Sequence, residues 1–183
     1  MRSLNPTLWR TCRALAGPKR LGLLRQILQN PGRNVSKLAE VTRIGESDAS
    51  QELRRLQSRG LLRRSLQGAQ VIYRPIPDPQ VASAAPLLKA LQAVWAEASV
   101  NDEDLIRIAT GLAHERRVEI ARILRQGPQS PAELSALTRI RRTSLYDHLQ
   151  RLAAGGFIQR SGRQIVFQVP KNPLAEALVK WIQ

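Results

Sequence analysis

At 183 residues the chain can form one large domain or two small ones, and 29 Lys+Arg against 14 Asp+Glu give it a formal charge of +15. Charge of that size, most of it Arg, points to a polyanionic partner, with a merely solvated basic surface as the plain alternative. A single cysteine, Cys12, excludes an intramolecular disulfide and a thiolate metal cluster, and His114 and His148 stand far apart in sequence without ligand spacing.

Along the chain, Cys12 falls among Leu8, Trp9 and Leu15 and reads as a small core residue. Lys19 to Gln29 carries apolar residues at Leu21, Leu24, Ile27 and Leu28, a helical face that Asn30-Pro31-Gly32 stops. Asn34 is placed to cap a short second helix. After a turn at Arg43-Ile44-Gly45, a longer helix from about Glu46 to Arg59 buries Ala49, Leu53 and Leu56 and ends at Gly60. Leu61-Leu62-Arg63-Arg64 and Val71-Ile72-Tyr73 flank a turn at Gln67-Gly68, a hairpin. A further helix is led by Pro86. The most apolar stretch, Val81 to Val100, is broken by Pro86, Lys89 and Glu97 and does not suit a membrane span. No charged, then apolar, leader opens the chain, so the expected location is cytoplasmic.

From there the series begins again. Leu15-Ala16 and Arg20-Leu21 reappear as Leu112-Ala113 and Arg117-Val118, 97 positions on. Thr42-Arg43-Ile44 reappears intact as Thr138-Arg139-Ile140 at 96, and Gly68 to Tyr73 is matched by Gly162 to Phe167 at 94. Gln126-Gly127-Pro128 stops the first helix of this copy, and Ser130-Pro131-Ala132-Glu133 opens the second as a capping box. Arg142 to Ala154 is the long helix, burying Leu145, Leu149 and Leu152. Phe157 to Arg160 and Gln164 to Val169 flank Ser161-Gly162 as a second hairpin, and Pro173 leads the last helix. Trp95 and Trp181 fall in the terminal helix of each copy, as packing aromatics. Two units are expected, 1–98 and 99–183, with the boundary near Ser99-Val100-Asn101-Asp102.

Helix, helix, turn, helix, hairpin is the order of a winged helix-turn-helix. In that frame the residues resemble the ArsR-type family: Asp147-His148-Leu149-Gln150-Arg151-Leu152 followed by Gly156-Phe157-Ile158-Gln159-Arg160, and in the first copy Leu53-Arg54-Arg55-Leu56 followed by Gly60-Leu61-Leu62-Arg63-Arg64. The resemblance implies a mainly α fold with small β-hairpins, two winged helix-turn-helix domains in tandem forming a pseudo-dimer. It also implies a DNA-binding transcriptional regulator, with first and last helices making the dimer contacts. Metal-sensing members carry paired cysteines where this chain reads Val35-Ser36-Lys37-Leu38-Ala39, so no metal or other cofactor is expected.

On such a frame, double-stranded DNA would meet the outward side of the long helix and the wing. In the second copy these residues are Arg142, Thr143, Ser144 and Tyr146 beside Asp147, with Arg139 and Arg141 at the entry and Arg160, Arg163 and Gln164 on the wing. In the first copy they are Ser47, Ser50, Gln51 and Arg54, with Arg63 and Arg64 on the hairpin and Gln67 and Gln70 at its tip. Glu46 and Asp48 there suit a helix N-terminus and would repel phosphates. Residues 1–98 nevertheless hold 16 Lys+Arg and 6 Asp+Glu (+10), against 13 and 8 (+5) for 99–183. The expectation is that copy one grips backbone through Arg54, Arg55, Arg63 and Arg64 while copy two reads sequence. The alternative is a protein–protein interaction module of the same fold. No nucleophile elbow, phosphate loop or carboxylate–histidine grouping suggests an enzyme. The chain is expected to work as a monomeric pseudo-dimer or as a homodimer.

Overall fold

Thr11, Cys12 and Leu15 recur at helical spacing and turn one buried face of an opening helix into the interior. The computed structural model describes residues 7–97 and 101–182. Its first series of elements is α1 (Leu8–Leu15), α2 (Pro18–Gln29), α3 (Val35–Thr42), α4 (Glu46–Gln57), β1 (Arg63–Gln67), β2 (Gln70–Arg74) and α5 (Ala84–Ala96). The same order then recurs as α6 (Asp102–Leu112), α7 (Glu115–Gln126), α8 (Pro131–Thr138), α9 (Arg142–Ala154), β3 (Ile158–Ser161), β4 (Gln164–Phe167) and α10 (Pro173–Val179). The described chain is therefore mainly helical, with two small antiparallel hairpins. Among the described residues no helix is long and apolar enough to cross a membrane.

Local chemistry accounts for most boundaries. Asn34 accepts from the Lys37 amide at the start of α3, and Ser130 and Glu133 close a reciprocal capping box at the start of α8. Both short helices end on an arginine in the left-handed region, Arg43 and Arg139, each at φ 55°. Each hairpin turns on a glycine at matching φ, Gly68 at 61° and Gly162 at 60°, where a side chain would be strained. Each hairpin also gains one bridge from the loop before its short helix, Asn34 to Ile72 and Gln129 to Ile165.

Several elements differ from expectation. The sequence reading begins its helices at Lys19 and omits α1 and α6, which pack on each other. Helix α5 starts two residues before Pro86, and Trp181 lies in the turn after α10 rather than within it. Leu61 and Leu62 are buried ahead of β1, and β4 ends at Phe167 instead of Val169. Of the expected boundary, Ser99 and Val100 lie outside the described residues, while Asn101 caps α6.

One apolar cluster runs through both series of elements. It is continuous because α1 packs on α6 and α5 on α10. Helix α5 alone buries Leu87, Leu88, Leu91 and Val94, and burying such a side chain stabilises by roughly 1.5–3 kcal/mol. A tight crossing of α6 with the end of α9 adds to this. A Cβ on Gly155 would come within 3.1 Å of the Gly111 Cα and 3.2 Å of the Arg107 carbonyl oxygen, and one on Gly111 would meet the Phe157 ring at 2.9 Å. In copy one the corresponding residues are Ala14, Arg59 and Leu61. A larger ring in copy two is thus matched by glycines facing it.

Candidate nucleic-acid interface

Helix α9 follows directly from the strained Arg139 turn, with Arg141 as its extended N-cap residue. Leu145 and Leu152 face the core, which leaves Arg142, Thr143, Ser144, Tyr146 and Asp147 exposed, Tyr146 by 62%. Arg139 and Arg141 are exposed beside them. Leu149, expected to be buried, packs against the core but is only partly buried, whereas its counterpart Leu53 is 0% exposed. The reason is a groove of about 540 Å³ between α9, the start of α8 and the second hairpin, with Leu145, Leu149, Ile158 and Ile165 among its lining. Arg142, Tyr146, Arg160 and Arg163 line the same groove. Arg160 reaches it because it pairs across the hairpin with Ile165, and cross-strand partners share a face. Among the described residues none of Arg139, Arg141, Arg142, Arg160 and Arg163 enters an ion pair.

Copy one differs in kind. Asp48 is bonded to Lys19 at 2.7 Å, Glu46 accepts from the Ser36 hydroxyl at 2.9 Å, and Glu52 holds both Arg20 and Arg55 at 2.6 Å. Ser47, Gln51 and Arg54 are exposed and Ser50 is half-buried. Ser50, Arg54 and Arg64 line a polar hollow of about 310 Å³ with Glu46 and Gln70. Arg63 does not join them: it pairs with Arg74, one position along from the Arg64–Tyr73 pair, and successive strand residues point to opposite faces. Of the expected grip, Arg54 and Arg64 come together, Arg55 is bonded to Glu52, which it shares with Arg20, and Arg63 stands apart. At the hairpin tip Gln67 is exposed, and Gln70 accepts from the Asn34 side-chain amide.

Behind α9 lies a pair that sequence separation concealed. The rings of His114 and His148 sit 4.9 Å apart. His148 occupies the repeat position of Glu52, and Arg117 that of Arg20. The partly buried ion pair of copy one thus becomes an arginine beside histidines in copy two, and the Arg117 Nε is buried without a partner among the described residues. Burial first, then the neighbouring positive charges, hold both histidines below their ordinary value. His114 also caps α7 by accepting from the Arg116 amide through Nδ1, which needs that nitrogen unprotonated. Folded-state values lie below the unfolded value, so the native state binds fewer protons. Stability is full above the unfolded value of about 6.5 and falls as pH drops below it. Thermal melts between about pH 7.5 and about pH 5, a range that spans the unfolded value, should show a declining Tm. His148→Glu, which restores the carboxylate found in copy one, should raise the Tm and flatten the decline; an unchanged pH slope would exclude the pair as its source.

Burial pushes the Cys12 thiol well above its ordinary value, which leaves it a packing residue. Among the described residues no three His, Cys, Asp or Glu side chains gather as a metal set. The repeat matched Arg20 with Arg117, but that Arg20 meets Glu52 while Arg117 meets no acid among the described residues was missed from sequence, as was the match of Arg25 with Arg122; aligning the repeats for the acids opposite each arginine is the signal that finds them. Compared with known proteins, the chain matches no family model and no curated protein.

Proposed function

We propose that the chain is a DNA-binding protein made of two winged helix-turn-helix units, α1 to α5 and α6 to α10. Within that class it is best read as an ArsR-type transcriptional regulator whose two units form a covalent pseudo-dimer in the cytoplasm, with no cofactor. The observation that carries this reading is the row of exposed arginines around α9 with no acidic partner among the described residues. Unpaired arginines at a helix entry suit phosphates and guanine edges. Arg139 adds to it: an arginine held at φ 55°, where glycine would be relaxed, suggests that its side chain is needed there. Copy two is the sequence reader in this scheme, because α9 has no acid in its first turn and has Arg139, Arg141 and Arg142 at its entry, whereas the first turn of α4 carries Glu46 and Asp48.

One feature favours the interaction-module reading, the apolar floor of the groove beside α9, which a protein side chain could fill. Selection from a random duplex pool at two salt concentrations separates the two. A regulator should enrich a motif, with a log–log salt slope on the order of −4 to −8. No enrichment, with affinity vanishing at physiological salt, would leave the interaction module as the better account.

A further inference from the structure

The two copies end alike, with Pro86-Leu87-Leu88-Lys89-Ala90-Leu91 before Trp95 and Pro173-Leu174-Ala175-Glu176-Ala177-Leu178 before Trp181. At the first of these corners, the Trp95 indole Nε1 donates to Asp102 Oδ1 at 2.9 Å, and Arg25 Nη1 donates to the same oxygen at 3.3 Å. Asp102 is the first residue of α6, which carries Glu103 and Asp104 in the same turn. A tryptophan and an arginine thus hold a carboxylate between the two copies.

At the opposite corner the donors remain, and no carboxylate among the described residues bonds them. Arg122 is the counterpart of Arg25, 97 positions on, Trp181 that of Trp95, and α1 stands where α6 stood. Helix α1 has no acid in its first turn, and its N-cap residue Thr7 makes no side-chain capping bond. By the same offset the counterpart of Asp102 is Asn5, and Met1 to Pro6 contain no Asp or Glu. What α1, α5, α7 and the turn after α10 enclose is a hollow of about 320 Å³ lined by Leu8, Thr11, Leu87, Val118, Arg122 and Trp181. Its walls carry two buried polar atoms without partners among the described residues, the Trp181 Nε1 and the hydroxyl of Thr11, a residue only 1% exposed. Buried donors left unpaired are rare enough to need an occupant or another explanation. The Trp181 turn is firmly placed, since Arg125 Nη1 donates to the Ile182 carbonyl at 2.6 Å.

We propose that this hollow binds a small apolar carboxylic acid, whose carboxylate takes from Trp181 and Arg122 the bonds that Asp102 takes from Trp95 and Arg25. The apolar body lies against Leu8, Leu87 and Val118, and Thr11 supplies a further hydrogen bond. The volume suits one ring or a short branched chain. Glu115 and Glu119 also line the hollow, Glu119 bonded to Arg116 at 2.9 Å; they repel any anion, so the acid depends on the bonds from Arg122 and Trp181, and a dianion is disfavoured further.

The test is calorimetry on the full chain without DNA, so its outcome stands apart from the DNA-binding reading. The probes are 3-phenylpropanoate and the neutral 3-phenylpropanamide. The acid should bind and the amide should bind at least about tenfold more weakly, the expected loss of a charge-assisted bond. Trp181→Phe keeps the ring and removes the N–H, and Arg122→Gln removes the charge. Each should weaken the acid by about tenfold or more, while Lys171→Gln, elsewhere on the surface, leaves it unchanged. Absence of acid binding would mean that the hollow holds only water. Equal binding of acid and amide, or wild-type affinity in both variants, would equally overturn the proposal.

Discussion

Reversing two charges at once, Arg141→Glu with Arg142→Glu, is expected to weaken duplex-DNA binding by roughly two orders of magnitude or more, since each lost base or phosphate contact is worth about 1–3 kcal/mol and the new charges repel phosphate. Fluorescence anisotropy with a selected duplex would measure it. Folding should survive. Both side chains are exposed, and acids at the start of α9 suit the positive end of the helix. A Tm that holds while affinity collapses therefore assigns the effect to the interface. Arg139→Gly gives the complementary contrast: it relaxes a backbone held at φ 55°, so stability should hold or rise while affinity falls. Unchanged binding in the Arg141/Arg142 double variant would mean that α9 does not face DNA.

Phe157→Ala should cost about 3–5 kcal/mol, because the ring is 0% exposed and the glycines around it cannot close the space. Denaturant unfolding at neutral pH would show the loss. Because one apolar cluster runs through both copies, the variant should still unfold in a single transition, with the first copy losing its partner surface as the second melts. Two separated transitions would show that the copies fold independently despite the α1–α6 and α5–α10 packing.

Much of the fold was legible because its signals are local. The capping box at Ser130, the cap at Asn34, the proline starts at Pro131 and Pro173 and the glycine turns each depend on neighbours within a few residues. The repeat was legible for a different reason: matched residues at nearly constant offset need no structure to be seen. Helices α1 and α6 were not legible in the same way, because they are set by packing on each other across the chain. Leu149 was misplaced because helical periodicity says which face is apolar, not whether a neighbour covers it.

At the candidate interface, the exposed side of α9 could be read from periodicity, and the structure exposes Arg142, Thr143, Ser144 and Tyr146 as a set. Pairing could not be read. That Asp48 turns to Lys19, that Glu52 reaches Arg20, and that Arg63 leaves the face of Arg64 depend on contacts 29 or 32 residues apart or on hairpin register.

The sequence by itself determined the order of the elements apart from α1 and α6, their duplication, the basic balance and the single cysteine, all of which are properties of spacing and composition. Only the tertiary structure decided that the copies share one core, that two histidines 34 positions apart lie ring to ring beside Arg117, and that at one corner a tryptophan and an arginine hold an aspartate while at the other the tryptophan N–H has no partner among the described residues. The physical reason is that charge satisfaction and burial belong to the packed state: an arginine or an indole N–H acquires its partner, or lacks one, only when distant helices close around it.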